Sequence, residues 1–346
     1  MTAVAALGAP PLAAAEVDRH AVRLIAIAAD ARRVELRRFS ELPALLAPGD
    51  LVVVNDAATL PASLPGRTAE GEPFELRLSA PLDGLRLVGV LFGRGDWRTR
   101  TEDRPAPPAL RPGAVVAVGA LTAVVAAIAG RRVELEVRVD DVDQAAALAA
   151  LWRALYASAA PVQYAHRQAP LPLWAVQTGY AARPWAVEMP SAGRPLTWDT
   201  LLALRRRGID VAALTHAAGL GATGEPTLDA ALPWPERYEV PTSTAAAVAR
   251  ARARGGRVIA IGTTVVRALE ASGGRAGAGV ATLRLDATTP RRVVDGLVSG
   301  LHVPGESHFE LLAAFAARPL LARGLDLAHA HRLSGHELGD ACLIVP

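Results

Sequence analysis

Val258-Ile259-Ala260-Ile261 is an unbroken apolar run set between polar turns, the pattern of a short strand covered on both faces. Gly262 lets the chain turn tightly after it. The segment Thr263 to Glu270 reads as a following helix, with Thr263 or Thr264 as the expected cap, since a hydroxyl accepts an orphan N–H there. N–H groups at such a turn attract anions, and Arg267, one turn in, adds a charged fork. An ordinary strand–helix turn accounts for the same residues. Leu51-Val52-Val53-Val54 is a second buried run, ending in Asn55-Asp56. Before it, Arg23–Ile27 and Arg33–Leu36 read as a strand pair, and Phe39–Leu46 as a helix with Ser40 as its cap.

From about Pro61 to Val142 the pattern changes to short alternating runs. Phe74–Leu78 alternates as a half-exposed strand should, Asp83-Gly84 marks a hairpin, and Arg132–Val139 alternates again. Many short strands with little helix predict a small barrel or sandwich. Arg94–Pro112 is charged, proline-rich and carries Trp97; it reads as a mobile loop, either a solvated linker or an acceptor-binding element.

Beyond Val142, helices and strands alternate. Helices are expected at Gln144–Tyr156, Thr200–Arg207, Ser243–Arg254, Glu306–Ala317 and Leu325–Arg332, and strands at Ile209–Thr215, Val280–Leu285, Arg292–Leu301 and Cys342–Val345. The expected fold is therefore α/β. A layered or barrel-like α/β domain (residues 1–60 and 143–346) is interrupted by an inserted small β domain (61–142), a barrel or a sandwich.

Composition narrows the classes. At 346 residues the chain suits about two domains. The net charge is only +3, yet the pI is near 9.6, because every basic residue other than histidine is arginine. That balance permits nucleic-acid contact without demanding it. The lone Cys342 excludes a disulfide framework and a cysteine-based zinc site. No apolar stretch suits a bilayer span, and Met1–Ala15 lacks the basic flank of a signal peptide; it reads as a loose terminus. The expectation is a cytoplasmic protein with no membrane partner.

Asn55-Asp56, His216, Thr263-Thr264 and His302 each fall at the end of an expected strand. In parallel α/β sheets such ends share one side, where sites are built. Each alone suits a packed, hydrogen-bonded residue equally well; together they favour a site. A metal is not expected: His216, His302, His308 and His336 have no ligand spacing, and His329 and His331 lie on different helix faces. Gly219–Gly224 lacks a P-loop lysine but suits a backbone-lined anion or nucleoside loop. No Gly-x-Ser-x-Gly elbow supports a serine hydrolase.

Several motifs in order carry a specific likeness. They are Pro48–Asp56; Val176-Gln177-Thr178-Gly179-Tyr180 with Pro184 and Pro190-Ser191-Ala192-Gly193; Ile261-Gly262-Thr263-Thr264-Val265-Val266-Arg267; Val293–Pro304 with the helix to Ala316; and Gly339-Asp340-Ala341. From about Arg23 onward the chain resembles the S-adenosylmethionine:tRNA ribosyltransferase-isomerase family of queuosine biosynthesis. The resemblance implies an α/β domain interrupted by a β-barrel, S-adenosylmethionine as co-substrate, no metal, and tRNA (anticodon region) as partner. The implied reaction moves and isomerises the donor's ribosyl part onto 7-aminomethyl-7-deazaguanine, giving epoxyqueuosine, while adenine and methionine leave. It implies His216, Glu236 and Tyr238 as catalytic residues. It implies Asn55, Asp56, Pro190, Ser191, Gly193, Thr263, Thr264, Arg267, His302, Ser307 and Asp340 as substrate-binding residues.

The chain also departs from the family pattern. Ala57-Ala58 replace Thr-Arg after Asn55-Asp56, Arg194-Pro195-Leu196 replace Leu-His-Phe after Gly193, Pro233-Trp234-Pro235 replace histidines, and His336-Glu337-Leu338 replace aromatic-Ser-Tyr. Three readings stand at this point: the tRNA reaction, the same donor chemistry on a free deazapurine or other small molecule, and a non-catalytic RNA-binding descendant.

Overall fold

The computed structural model describes residues 18–139, 143–165, 169–335 and 338–346; Met1–Ala15 and His336 lie outside them. The first strands, β1 (Arg23–Ala28) and β2 (Arg33–Arg38), pair antiparallel as expected. A short helix α1 (Leu42–Leu45) follows, then β3 (Leu51–Asn55), buried at every position, and the brief β4 (Ala57–Thr59). Ser40 caps nothing: it lies inside a single 3-10 turn, and the Glu41 carboxylate accepts the Arg38 N–H instead.

Six strands then close a barrel: β5 (Ser63–Thr68), β6 (Pro73–Leu78), β7 (Arg86–Phe92), β8 (Val115–Val118), β9 (Leu121–Ala129) and β10 (Arg132–Arg138), in the order β10-β7-β6-β5-β8-β9. Leu64, Leu76, Val90, Val118, Ala123 and Leu135 fill it. The strand β6 is more buried than its alternation suggests, since only Pro73 is exposed. Its outward-facing Glu75 and Arg77 are covered by neighbouring segments. Arg104, from the 94–112 connection, ion-pairs with Glu75, which also accepts Arg77 Nε at 2.7 Å. Arg104 further donates to the Gly93 carbonyl, and to that of Gly95 at 3.0 Å. The connection expected to be mobile is therefore pinned through a buried guanidinium, which its charged composition concealed.

After α2 (Gln144–Ser158), capped by the Asp143 carboxylate on Ala146 N–H, the chain runs irregularly to β11 (Arg183–Ala186), which lies parallel to β4. There follow α3 (Trp198–Arg206), β12 (Asp210–His216), α4 (Pro226–Ala230), β13 (Glu236–Val240), α5 (Thr242–Ala253), β14 (Val258–Ile261), α6 (Thr263–Ser272), β15 (Gly277–Ala281), β16 (Gly296–Gly300), α7 (Ser307–Leu312), α8 (Arg318–Ala330) and β17 (Ala341–Val345). Two strands are shorter or earlier than expected, at 277–281 and 296–300. The last helix begins seven residues sooner than its apolar pattern suggests, with Pro319 in its first turn, where a missing N–H costs nothing.

These elements build a nine-stranded sheet, β15-β13-β12-β3-β14-β16-β17-β1-β2. The central strands β12, β3, β14 and β16 are mutually parallel. Their carboxyl ends therefore share one edge, which positions Asn55, His216, Gly262 and Gly300 together. One face is covered by α5, α6, α7 and α8 over Val53, Leu214, Ala260 and Leu297. The other carries α1 and α3 over Val52, Val54, Ile259 and Ile261.

Candidate active site

Asn55 is the hub of the sheet edge. Its Nδ2 donates to the His216 carbonyl at 2.9 Å, and its Oδ1 accepts the backbone N–H of His216 at 2.9 Å and of Ala57 at 3.1 Å. One amide thus clamps the last residue of β12 to the end of β3. Nδ2 also lies 3.3 Å from Thr264 Oγ1, bringing in the start of α6. Beside it, Asp56 accepts the Thr215 hydroxyl at 2.6 Å.

Neither Thr263 nor Thr264 caps α6. The cap position is Gly262, at φ 99°, and no side chain accepts there. That backbone suits glycine, and a Cβ there would sit 3.4 Å from Thr264 Oγ1 and 3.6 Å from the Ala192 methyl. The turn Ser191–Gly193, preceded by Pro190, therefore packs against the β14–α6 turn. Thr263 is buried at the first helical position, where N–H groups have no intrahelical acceptor.

His216 is fully buried, and neither ring nitrogen has a hydrogen-bond partner among the described residues. Its Nε2 lies 3.6 Å from Glu236 Oε2, too long for a direct hydrogen bond. Burial, reinforced by the Arg267 charge, pushes the ring down to about 3, so the resting imidazole is neutral.

Glu236 opens β13, paired antiparallel with β12. Its Oε1 accepts the Gly219 N–H at 2.5 Å and its Oε2 pairs with Arg267 Nη1. Arg267 was expected to offer a fork to an incoming anion. Instead its guanidinium is turned inward, donating to the carbonyls of Trp234 (3.1 Å), Ala281 (2.9 Å) and Leu283 (3.2 Å) besides Glu236. Burial, with Arg284 nearby, pushes Arg267 down to about 10. That is still far above neutral pH, and the touching carboxylate favours the charged form.

The glycine loop differs from expectation for a similar reason. Its N–H donors are already engaged by carboxylates of the chain: Gly219 by Glu236, Gly221 by Glu188 at 2.8 Å, and Thr223 and Gly224 by Asp229 at 2.7 and 3.0 Å. Glu188 also accepts the Tyr164 hydroxyl, and the Tyr164 ring lies 5.4 Å from the Arg77 guanidinium. A polar chain thus links the barrel to the loop beside Glu236. None of Glu188, Tyr164, Glu75 or Arg104 was singled out from sequence, because the pairs Glu75–Arg104 and Tyr164–Glu188 join residues 29 and 24 positions apart.

Of the other expected site residues, Tyr238 is the register partner of His216 on β13, while His302, Ser307 and Asp340 lie apart from this cluster. Tyr238 is buried in the apolar core, its ring over the neighbouring strand, where a Cβ on Gly279 would approach its hydroxyl to 2.6 Å. His302 shares the sheet edge, but its Nδ1 lies 3.1 Å from Glu306 and its ring stacks on His308 at 4.7 Å. It borders a cavity of about 20 Å³ with Ile25, Phe309 and Cys342, lined by none of His216, Glu236 or Thr264. Ser307 begins α7 next to it. The Asp340 carboxylate holds Arg23 (2.8 Å) and the Ser334 N–H (2.8 Å), tying β1 to the loop before β17. Among the described residues, no group of three or more His, Cys, Asp or Glu is placed to hold a metal ion, and no helix is long and apolar enough to cross a membrane.

A model of the queuosine biosynthesis protein family matches residues 9–344. The chain belongs to this family. It is 37% identical over 342 residues to the S-adenosylmethionine:tRNA ribosyltransferase-isomerase of Anaeromyxobacter dehalogenans strain 2CP-C, covering 94% of this chain and 93% of the relative. The enzyme of that name from Acidithiobacillus ferrooxidans is 33% identical, with 95% and 92% covered. The crystal structure of S-adenosylmethionine tRNA ribosyltransferase from Thermotoga maritima superposes with a TM-score of 0.52 at 23% identity, covering 97% of this chain and 98% of that one, and shares its fold.

Proposed function

We propose that the protein is an S-adenosylmethionine-dependent tRNA ribosyltransferase-isomerase of queuosine biosynthesis. It transfers the ribosyl part of the donor to 7-aminomethyl-7-deazaguanine in tRNA and isomerises it to the epoxide. The observation that carries this reading is a family match from end to end, with Asn55, His216, Glu236 and Thr264 drawn together at one sheet edge. The reaction needs a base for the proton acidified by the sulfonium, a proton source for departing adenine, and groups that hold the methionine carboxylate.

Glu236 suits the first task. It is the carboxylate nearest His216, fixed by Gly219 and Arg267, and its charge also favours a sulfonium cation. His216 acts from its neutral form: a ring pushed to about 3 is a feeble base and carries no proton to spare at neutral pH. Its two buried nitrogens are hydrogen-bonding positions for the bound nucleoside. The first N–H groups of α6, with the Thr264 hydroxyl, suit the methionine carboxylate.

Incubation with S-adenosylmethionine and tRNA carrying the deazaguanine precursor tests the reading. Adenine and methionine should appear only when both substrates are present, and tRNA affinity should fall steeply with salt. Equal release with a free deazapurine and salt-insensitive turnover would transfer the acceptor role to a small molecule.

A further inference from the structure

Trp174 and Trp198 are 76% and 63% exposed, the two most exposed large apolar side chains among the described residues. Both flank one turn. Trp174 lies in the 3-10 turn Leu173–Val176, whose next residues are Gln177–Tyr180, and Trp198 Nε1 sits 3.7 Å from where a Cβ on Gly179 would lie. Because α3 leads back into β12, its first residue, Trp198, stands at the same sheet edge as His216 and Asn55. The turn itself is tied to that edge: Ala182 N–H donates to the Asp56 carbonyl, and Gln177 exchanges two hydrogen bonds with the backbone of Thr59, each 2.9 Å.

A third tryptophan lies on the same segment. Trp185 is half-buried on β11 against Ala57, Ala186 and Ala218, with the Arg237 guanidinium over its ring at 4.9 Å and that of Arg183 at 5.6 Å. Arg183 is bound to Glu239. Arg237 is exposed, and no carboxylate pairs with it among the described residues. Exposed indoles on a fixed turn, beside a free cation, match the chemistry of unstacked nucleobases and their phosphates. They do not match an ordinary protein surface, where such rings are costly to leave in water.

We propose that the segment 173–198, with Arg237, is the surface that grips the unpaired loop bases of the RNA acceptor: Trp174 and Trp198 stack on bases and Arg237 contacts the backbone. This rests on the tRNA reading above. The test uses the full chain and a hairpin RNA with an unpaired seven-base loop, measured by fluorescence anisotropy, alongside calorimetric binding of S-adenosylmethionine. Trp174→Ala and Trp198→Ala should each raise the RNA Kd at least about fivefold, the loss expected for one stacked base. Trp198→Phe should keep most of the affinity, and donor binding should not change. Arg237→Ala should flatten the salt dependence by about one contact. Wild-type affinity within twofold in both alanine variants would overturn the proposal. So would a shift from dimer to monomer on Trp198→Ala in sedimentation, which would mean that a second copy covers the indoles. Wild-type protein that binds the donor but no RNA would instead overturn the tRNA reading on which it rests.

Discussion

Replacing His216 by glutamine should change how stability responds to acid. The ring is fully buried and is pushed from 6.5 to about 3 in the folded chain. The unfolded chain titrates near the ordinary value, so between about pH 3 and 6.5 the unfolded state binds a proton that the folded state refuses. Stability contributed by the neutral ring is complete above pH 6.5 and is lost as pH falls. At ~1.4 kcal/mol per unit, integration from pH 7 to pH 5 gives a loss of about 2 kcal/mol, rising to about 4 near pH 3. His216→Gln cannot take up that proton, while every other group titrates alike in both proteins. Urea unfolding followed by tryptophan fluorescence at pH 7 and pH 5 should therefore show wild type losing about 2 kcal/mol more than the variant. Parallel pH profiles would refute the reasoning, since they would place His216 in contact with water or charged in the fold.

Glu236→Gln should lower turnover at least ~100-fold, the effect typical of losing a proton-transfer group, and His216→Ala should lower it through the lost hydrogen bonds to the nucleoside, both read by adenine release. Asn55→Ala removes the amide that clamps the end of β12 to the end of β3, leaving only the Thr215–Asp56 bond described beside it. It leaves the His216 N–H without its acceptor, while the His216 carbonyl keeps the Ala218 N–H, and should cost about 1–3 kcal/mol in urea unfolding. Arg104→Ala leaves Glu75 with a single buried cation and frees the 94–112 connection. Trypsin should then cut at Arg98 or Arg100 faster than in wild type, and an unchanged rate would show that the loop is pinned otherwise.

Much of the scaffold was legible along the chain because it rests on local patterns. The runs 51–54 and 258–261 are apolar at every position, as strands flanked by helices on both faces must be, and the Asp83-Gly84 turn marks its hairpin. The alternating runs left barrel and sandwich open for the inserted block; the resemblance chose the barrel, which six strands close. The site was legible only in outline. That Asn55 and His216 meet follows from strand ends in a parallel sheet. That Arg267 turns inward to Glu236 does not, because its partners come from β13, β15 and the loops beside them. The glycine loop misled for the same reason, since its donors are satisfied by Glu188, Asp229 and Glu236 from elsewhere in the chain. The expected strand at Val280–Leu285 lay late because Gly277 and Gly279, weak strand formers, pair all the same, and at Gly279 the Tyr238 ring fills the space that a side chain would occupy.

The central claim is that the sulfonium nucleoside reacts at the edge where β12, β3 and β14 end. A crystal structure of the protein with S-adenosylmethionine bound tests it most directly. The sulfonium should lie against Glu236, with His216 hydrogen-bonded to the nucleoside and the methionine carboxylate at the start of α6. A donor seated beside His302 and His308, or in the barrel, would contradict it.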